Sequence, residues 1–291
     1  MEQIKAEPEI IALWQHGIIS STNSQGDQIV SKCIFCNKED HLYITARELT
    51  KDNGKVYSPG TFDCKSCGRR GNLFTILNWI YQQSAKTTTA GDVQALAQER
   101  GIPPQAFRFS KPVKSCFNQQ WLFPHYTLKK EGREVKLILN NLYIYSPNDK
   151  VKMRSTASCK QTLFNLQSML RTITQKDSPN GDEVWLTEGH WDCCVLENEL
   201  FNTPNPNNKF RYVIGVPGAN IFNTKWSTYF EGKDVKLVFD NDDAGIKGMK
   251  RICGILQGSK VKPKSIKVIA WPEKYNKKHD VRDEYKSLIG V

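Results

Sequence analysis

The sequence predicts a multi-domain α/β protein: a small β module with helices, then a basic α+β segment, then a Rossmann-like domain with a parallel sheet. Three observations carry this expectation. Cys33/Cys36 and Cys64/Cys67 form two Cys-x-x-Cys pairs separated by 27 residues, four short apolar runs recur at helix-length spacing after residue 181, and basic charge gathers between these regions. At 291 residues the chain exceeds one average domain.

The amino-terminal module is read from its cysteines. Four thiolates at about 2.3 Å make a closed tetrahedral Zn²⁺ site, and a closed site is structural because no position is left for water. Disulfides are the alternative, but Cys116, Cys159, Cys193, Cys194 and Cys253 bring the total to an odd nine, which favours a reducing compartment. His41 lies five positions beyond Cys36 and reads as a surface residue. After the last cysteine, Leu73, Phe74, Leu77, Ile80 and Tyr81 make an apolar helical face. Ile10, Ile11, Leu13 and Trp14 read as the core face of an opening helix ended by Gly17. A further helix from Asp92 to Arg100 closes a module covering 1–100.

Residues 101–120, with Pro103 and Pro104 and little periodicity, read as a linker. Within 121–181, Trp121 to Tyr126 and Arg133 to Leu139 predict a hairpin, and Lys152 to Ser155 a basic strand. The formal net charge is +11, from 41 basic and 30 acidic side chains, a generic attractor for phosphate backbones. Fourteen basic against five acidic residues lie between Glu99 and Asp177. Phe107, Phe109, Phe117, Trp121, Phe123, Tyr126, Tyr143 and Tyr145 interleave with them, and those outside the core are positioned to stack on bases.

In 182–291, the runs Val184 to Thr187, Tyr212 to Val216, Val235 to Phe239 and Ile266 to Ala270 predict strands buried on both faces. Helices over His190 to Leu200 and Ala244 to Leu256 give a βαβαβ pattern, with Asn202 to Asn208 an internal loop. Glu188 follows the first strand, and Asp240 and Asp242 the third. The carboxyl ends of such strands open onto one crevice, where these acids suit a hard divalent cation. Of the adjacent Cys193 and Cys194, one is expected to be packed and the other incidental.

Glu188-Gly189-His190-Trp191-Asp192, followed by Asp240-x-Asp242 with Ala244-Gly245, resembles the TOPRIM domain of primases, topoisomerases and some nucleases. Asp280 to Tyr285 resembles the acidic segment closing that region in bacterial and bacteriophage DNA primases, and the cysteine module resembles the primase zinc ribbon. The resemblance implies that Glu188, Asp240 and Asp242 hold catalytic Mg²⁺ or Mn²⁺, with Asp192 and Asp280 at less critical positions. It further implies that Lys152 and Arg154, with Lys136 and Arg133 behind them, face nucleotide phosphates or template. A primase would join ribonucleotides on single-stranded DNA, its zinc module helping to choose the start and a mobile linker handing over template or initiating nucleotide.

No run of eighteen apolar residues and no secretory leader occurs, so a soluble protein of the cytoplasm, or of a host's cytoplasm if viral, is expected. No Gly-x-x-x-x-Gly-Lys-Ser/Thr loop occurs either, and few residues follow the last acidic segment; a helicase would act in trans. The alternatives are a TOPRIM nuclease using the same acids for hydrolysis, for which His190 is a poor general base, and an inactive single-stranded-DNA-binding replication accessory.

Overall fold

The structure, a computed structural model, describes residues 7–19, 24–25, 27–131, 134–170, 181–204, 209–218, 220–269, 271 and 280–284. The α/β class is as expected: antiparallel sheets, a four-cysteine cluster and one parallel sheet. The chain forms two compact units that alternate along the sequence, one comprising 1–88, 112–124 and 139–160, the other 89–111, 125–138 and 161–291.

The first unit opens with α1 (Pro8–Gln15), which has proline in its first turn. Gly17 adopts φ +70° beyond its end, and Ile18 N–H reaches back to Leu13 O at 2.9 Å. Ile10 and Leu13 point into the core, whereas Trp14, expected there, is 50% exposed and Ile11 lies beside it at the surface. One helical stripe three residues apart suffices to seat so short a helix. A five-stranded antiparallel sheet follows in the order β1-β2-β3-β6-β7, from Ser24–Gln25, Gln28–Ser31, Leu42–Thr45, Phe62–Cys64 and Arg70–Gly71. Between β3 and β6 a separate hairpin pairs β4 (Leu49–Thr50) with β5 (Val56–Tyr57). Asn72 caps α2 (Leu73–Thr87) through a reciprocal box with Thr75, and Ile76, Leu77 and Ile80 pack on Leu42, Ile44 and Phe62.

A second antiparallel sheet runs β11-β10-β9-β8, from Met153–Ser155, Glu134–Tyr145, Trp121–Glu131 and Val113–Lys114. Its hairpin and basic strand match the sequence reading, and β9 and β10 contribute residues to both units.

The second unit begins with α3 (Ala90–Arg100), capped by Thr89 and ended by Gly101 at φ +62°. The stretch 101–120 is packed, which corrects its reading as a linker. Ile102, Ala106, Phe107 and Ser110 are buried in this unit and Val113 and Ser115 in the first. Phe107 meets Trp191 edge to face at 6.3 Å. These apolar residues are irregularly spaced around the prolines, so no helix or strand period reveals them. The parallel sheet has the order β13-β12-β14-β15, from Phe210–Val216, Asp182–Glu188, Asp234–Val238 and Ser265–Val268. Helices α4 (His190–Asn202) and α5 (Asp243–Gly258) alternate with these strands, and Leu186, Ile214, Leu237, Phe239, Ile252 and Leu256 share its core. Both Cys193 and Cys194 are buried, against Val213 O and Ser110 respectively, so neither is incidental.

Candidate functional site

In the parallel sheet β12 pairs with β13 on one side and with β14 on the other. The chain therefore reverses its direction of travel across the sheet between β12 and β14, the point where open α/β sheets form a crevice at their carboxyl ends. Thr187 and Val238 are the last paired residues there, and Glu188 and Asp240 follow them. Gly189 turns the chain at φ +91° into α4, whose first turn carries Asp192. A side chain on Gly215 would come within 2.6 Å of Gly189 O, so glycine there lets β13 approach the turn. On the β14 side Trp271 Nε1 donates to Phe239 O at 2.7 Å, which pins the residue before Asp240.

Asp192, Asp240 and Asp280 each offer a carboxylate oxygen within 4.8 Å of the others. Arg282 lies among them. Its Nε donates to Asp192 Oδ1 at 3.0 Å and its Nη2 to Asp280 Oδ2. Burial raises the Asp240 carboxyl to about 7, with the charges of Glu188 and Asp280 adding to the effect. Burial also raises Asp192 well above the usual range despite Arg282. Crowded, desolvated carboxylates repel one another in the absence of a cation, so this donor set fits a hard divalent ion.

The tight trio contains Asp192 and Asp280, which the sequence placed in support, while Glu188 acts on Asp240 through its charge. Asp242 caps α5, accepting from Gly245 N–H at 2.7 Å. His190 is buried and meets His125 Nε2 to Nε2 at 2.6 Å, and burial pushes it down to about 3.

The four cysteines converge as their spacing predicts. Cys33 and Cys67 Sγ are 4.0 Å apart and Cys36 and Cys64 Sγ 3.8 Å. The edge of a tetrahedron with about 2.3 Å metal–sulfur bonds is about 3.8 Å, so the cluster fits Zn²⁺. The two turns repeat one pattern. Asn37 N–H bonds Cys33 O and Gly68 N–H bonds Cys64 O, while Cys33 N–H bonds Lys38 O and Cys64 N–H bonds Arg69 O. Asn37 and Gly68 both adopt left-handed φ, +63° and +69°. Burial opposes ionisation of Cys64, but N–H donors from Cys67 and Ser66 bring its thiol down to about 7. His41 lies outside this set.

Lys152 is exposed just before β11, and Arg154 on that strand pairs with Asp149; both belong to the cysteine-bearing unit. Lys136 belongs to the other unit and pairs with Glu131 at 2.8 Å. Arg133 lies outside the described residues.

A basic pocket of about 460 Å³ on the first unit escaped the sequence reading. Tyr43, Tyr57, Lys51, Lys55, Lys65 and Arg70 line it, and the ammonium groups of Lys51 and Lys55 sit 5.3 and 5.0 Å from the Tyr57 ring centre. Asp52-Asn53-Gly54 between β4 and β5 was the available signal, a hairpin turn flanked by β-forming residues.

No family model and no curated protein matches this chain. Five chains of solved structures match. One comes from the structure of bacteriophage T7 lagging-strand DNA polymerase interacting with primase domains of two gp4 subunits bound to an RNA/DNA hybrid and dTTP. Identity is 16% and the TM-score 0.43, over 66% of this chain and 84% of that one. Among the described residues no helix is long and apolar enough to cross a membrane.

Proposed function

We propose that this protein is a DNA primase that joins nucleotides on a single-stranded DNA template by metal-dependent nucleotidyl transfer. The convergence of Glu188, Asp192, Asp240 and Asp280 at the reversal point of a parallel sheet supports this reading above all. In it, Asp240 and Glu188 hold Mg²⁺ or Mn²⁺, Asp192 and Asp280 complete the acidic wall, and Asp242 fixes the start of α5 behind them. A divalent ion there would lower the pKa of an attacking 3′ hydroxyl and offset charge on the leaving pyrophosphate. The acids themselves hold position and need transfer no proton.

Lys152 and Arg154, with Lys136 and Arg133, would meet triphosphate or template. Engaging Arg154 means exchanging its partly exposed pair with Asp149 for a phosphate, a small cost for an ion pair of this kind. The tyrosine–lysine pocket offers ring faces and cations suited to a single strand. Zinc would hold the ribbon that carries it, and a helicase would act in trans.

The test incubates purified protein with single-stranded DNA, labelled nucleotides and Mg²⁺ or Mn²⁺ and resolves products by length. Short metal-dependent oligonucleotides are expected from the wild type and none from Glu188→Gln or Asp240→Asn. Template shortening without synthesis would identify a nuclease instead.

A further inference from the structure

We infer that Arg282 is a resident counter-cation that takes the place of a second metal, leaving one divalent ion seated on Asp240 and Glu188. The inference rests on the metal-binding reading of the acids given above and concerns how many ions they hold.

Both oxygens of Asp280 are committed to donors around this arginine. Oδ2 accepts from Arg282 Nη2, and Oδ1 accepts the main-chain N–H groups of Arg282 at 2.8 Å and Asp283 at 3.1 Å. Asp192 spends Oδ1 on Arg282 Nε. A pair of metals about 3.5 to 4 Å apart requires carboxylates that reach both ions. Asp280 keeps lone-pair capacity only on Oδ2, beside the guanidinium, and Asp192 only its Oδ2, so neither carboxylate has both oxygens open to bridge two ions. The guanidinium is permanently charged and presents donors in a fixed fork, so it competes with a cation at every pH the protein meets. The Arg282 side chain is 25% exposed and that of Asp192 6%, so the pair is largely shielded from water and salt.

A further ion would then enter with the phosphates of the nucleotide, as part of the substrate.

Zinc-loaded full-length protein would be titrated with Mn²⁺ in the absence of nucleotide and template, free Mn²⁺ being read by electron paramagnetic resonance. One Mn²⁺ per wild-type chain is expected, one in Arg282→Lys, which keeps the charge, and two in Arg282→Gln. Two in the wild type, or one in an Arg282→Gln protein whose circular dichroism is native, overturns the inference. The wild-type count decides even if Arg282→Gln fails to fold. A wild type that takes up none, or an Asp240→Asn protein that binds as the wild type does, defeats the metal-site reading itself, so the two failures are distinguishable.

Discussion

Asp240 owes its place to a residue with no side chain. A Cβ on Gly245 would collide with the backbone carbonyl of Asp240, whereas the cap from Asp242 needs only the Gly245 N–H. Gly245→Ala should therefore displace Asp240, lowering Mn²⁺ affinity at least tenfold and stability by about 1 to 3 kcal/mol; calorimetric titration and thermal melting read the two effects. His16 belongs to a different part of the protein and is one of the buried imidazoles, with His125 and His190, that weaken it in acid. It is buried with Nε2 at 2.8 Å from Thr156 Oγ1, and burial, helped by Arg154, pushes it down to about 3. The unfolded chain protonates near 6.5 and the folded one does not, so stability is complete above that pH and declines as pH falls toward 3. The part of the loss due to His16 should reach about 2 kcal/mol by pH 5. Urea melts of wild type and His16→Gln from pH 7 to 5 should show the slope in the former and a flatter limb in the latter. Sequence placed Glu188 and Asp240 at strand ends because buried parallel strands are continuous apolar runs. It could not show how closely Asp192 and Asp280 gather beside Asp240, because Arg282, ninety positions from Asp192, binds them both.

At the level of elements, the strands of the parallel sheet were legible to within two residues at most ends. The burial of 101–120 and the outward side of α1 were not, since both depend on packing partners distant in sequence. Asp242 caps α5, so any chemical role has to be tested apart from that cap. Asp242→Ala should cost about 1 kcal/mol through loss of the α5 cap, while Asp242→Asn retains an acceptor and should melt as the wild type does. If the charge matters to synthesis, Asp242→Asn loses product while staying folded. The four-cysteine module would depend on bound zinc more heavily, since structural zinc contributes roughly 10 to 16 kcal/mol in small modules. A chelator, or Cys64→Ser, should expose 27–88 to protease while α4, α5 and the parallel sheet remain protected, a pattern that fragment mass spectrometry resolves.

Over the whole molecule, the net charge of +11 would favour phosphate backbones in general, and the pocket of Tyr43 and Tyr57 gathers Lys51, Lys55, Lys65 and Arg70 at one place. Replacing Lys51 and Lys55 together by Gln should weaken single-stranded DNA binding and reduce the slope of log K against log salt by about 1.4, roughly 0.7 per lost phosphate contact. Anisotropy across a salt series measures it, and an unchanged slope would remove the pocket from the binding surface. Composition showed the charge but not this pocket, which exists only once β4 and β5 fold beside β3 and β6. The repeated cysteine turns bear on how the protein matures. Each closes through its own short-range backbone bonds, so either one is able to seize an ion as soon as it emerges from synthesis. The later partner then needs only to close a loop of 27 residues, at about the entropic cost of any loop that long. Assembly of the ribbon would thus be a two-stage capture, and scarcity of zinc would stall newly made chains half-clasped.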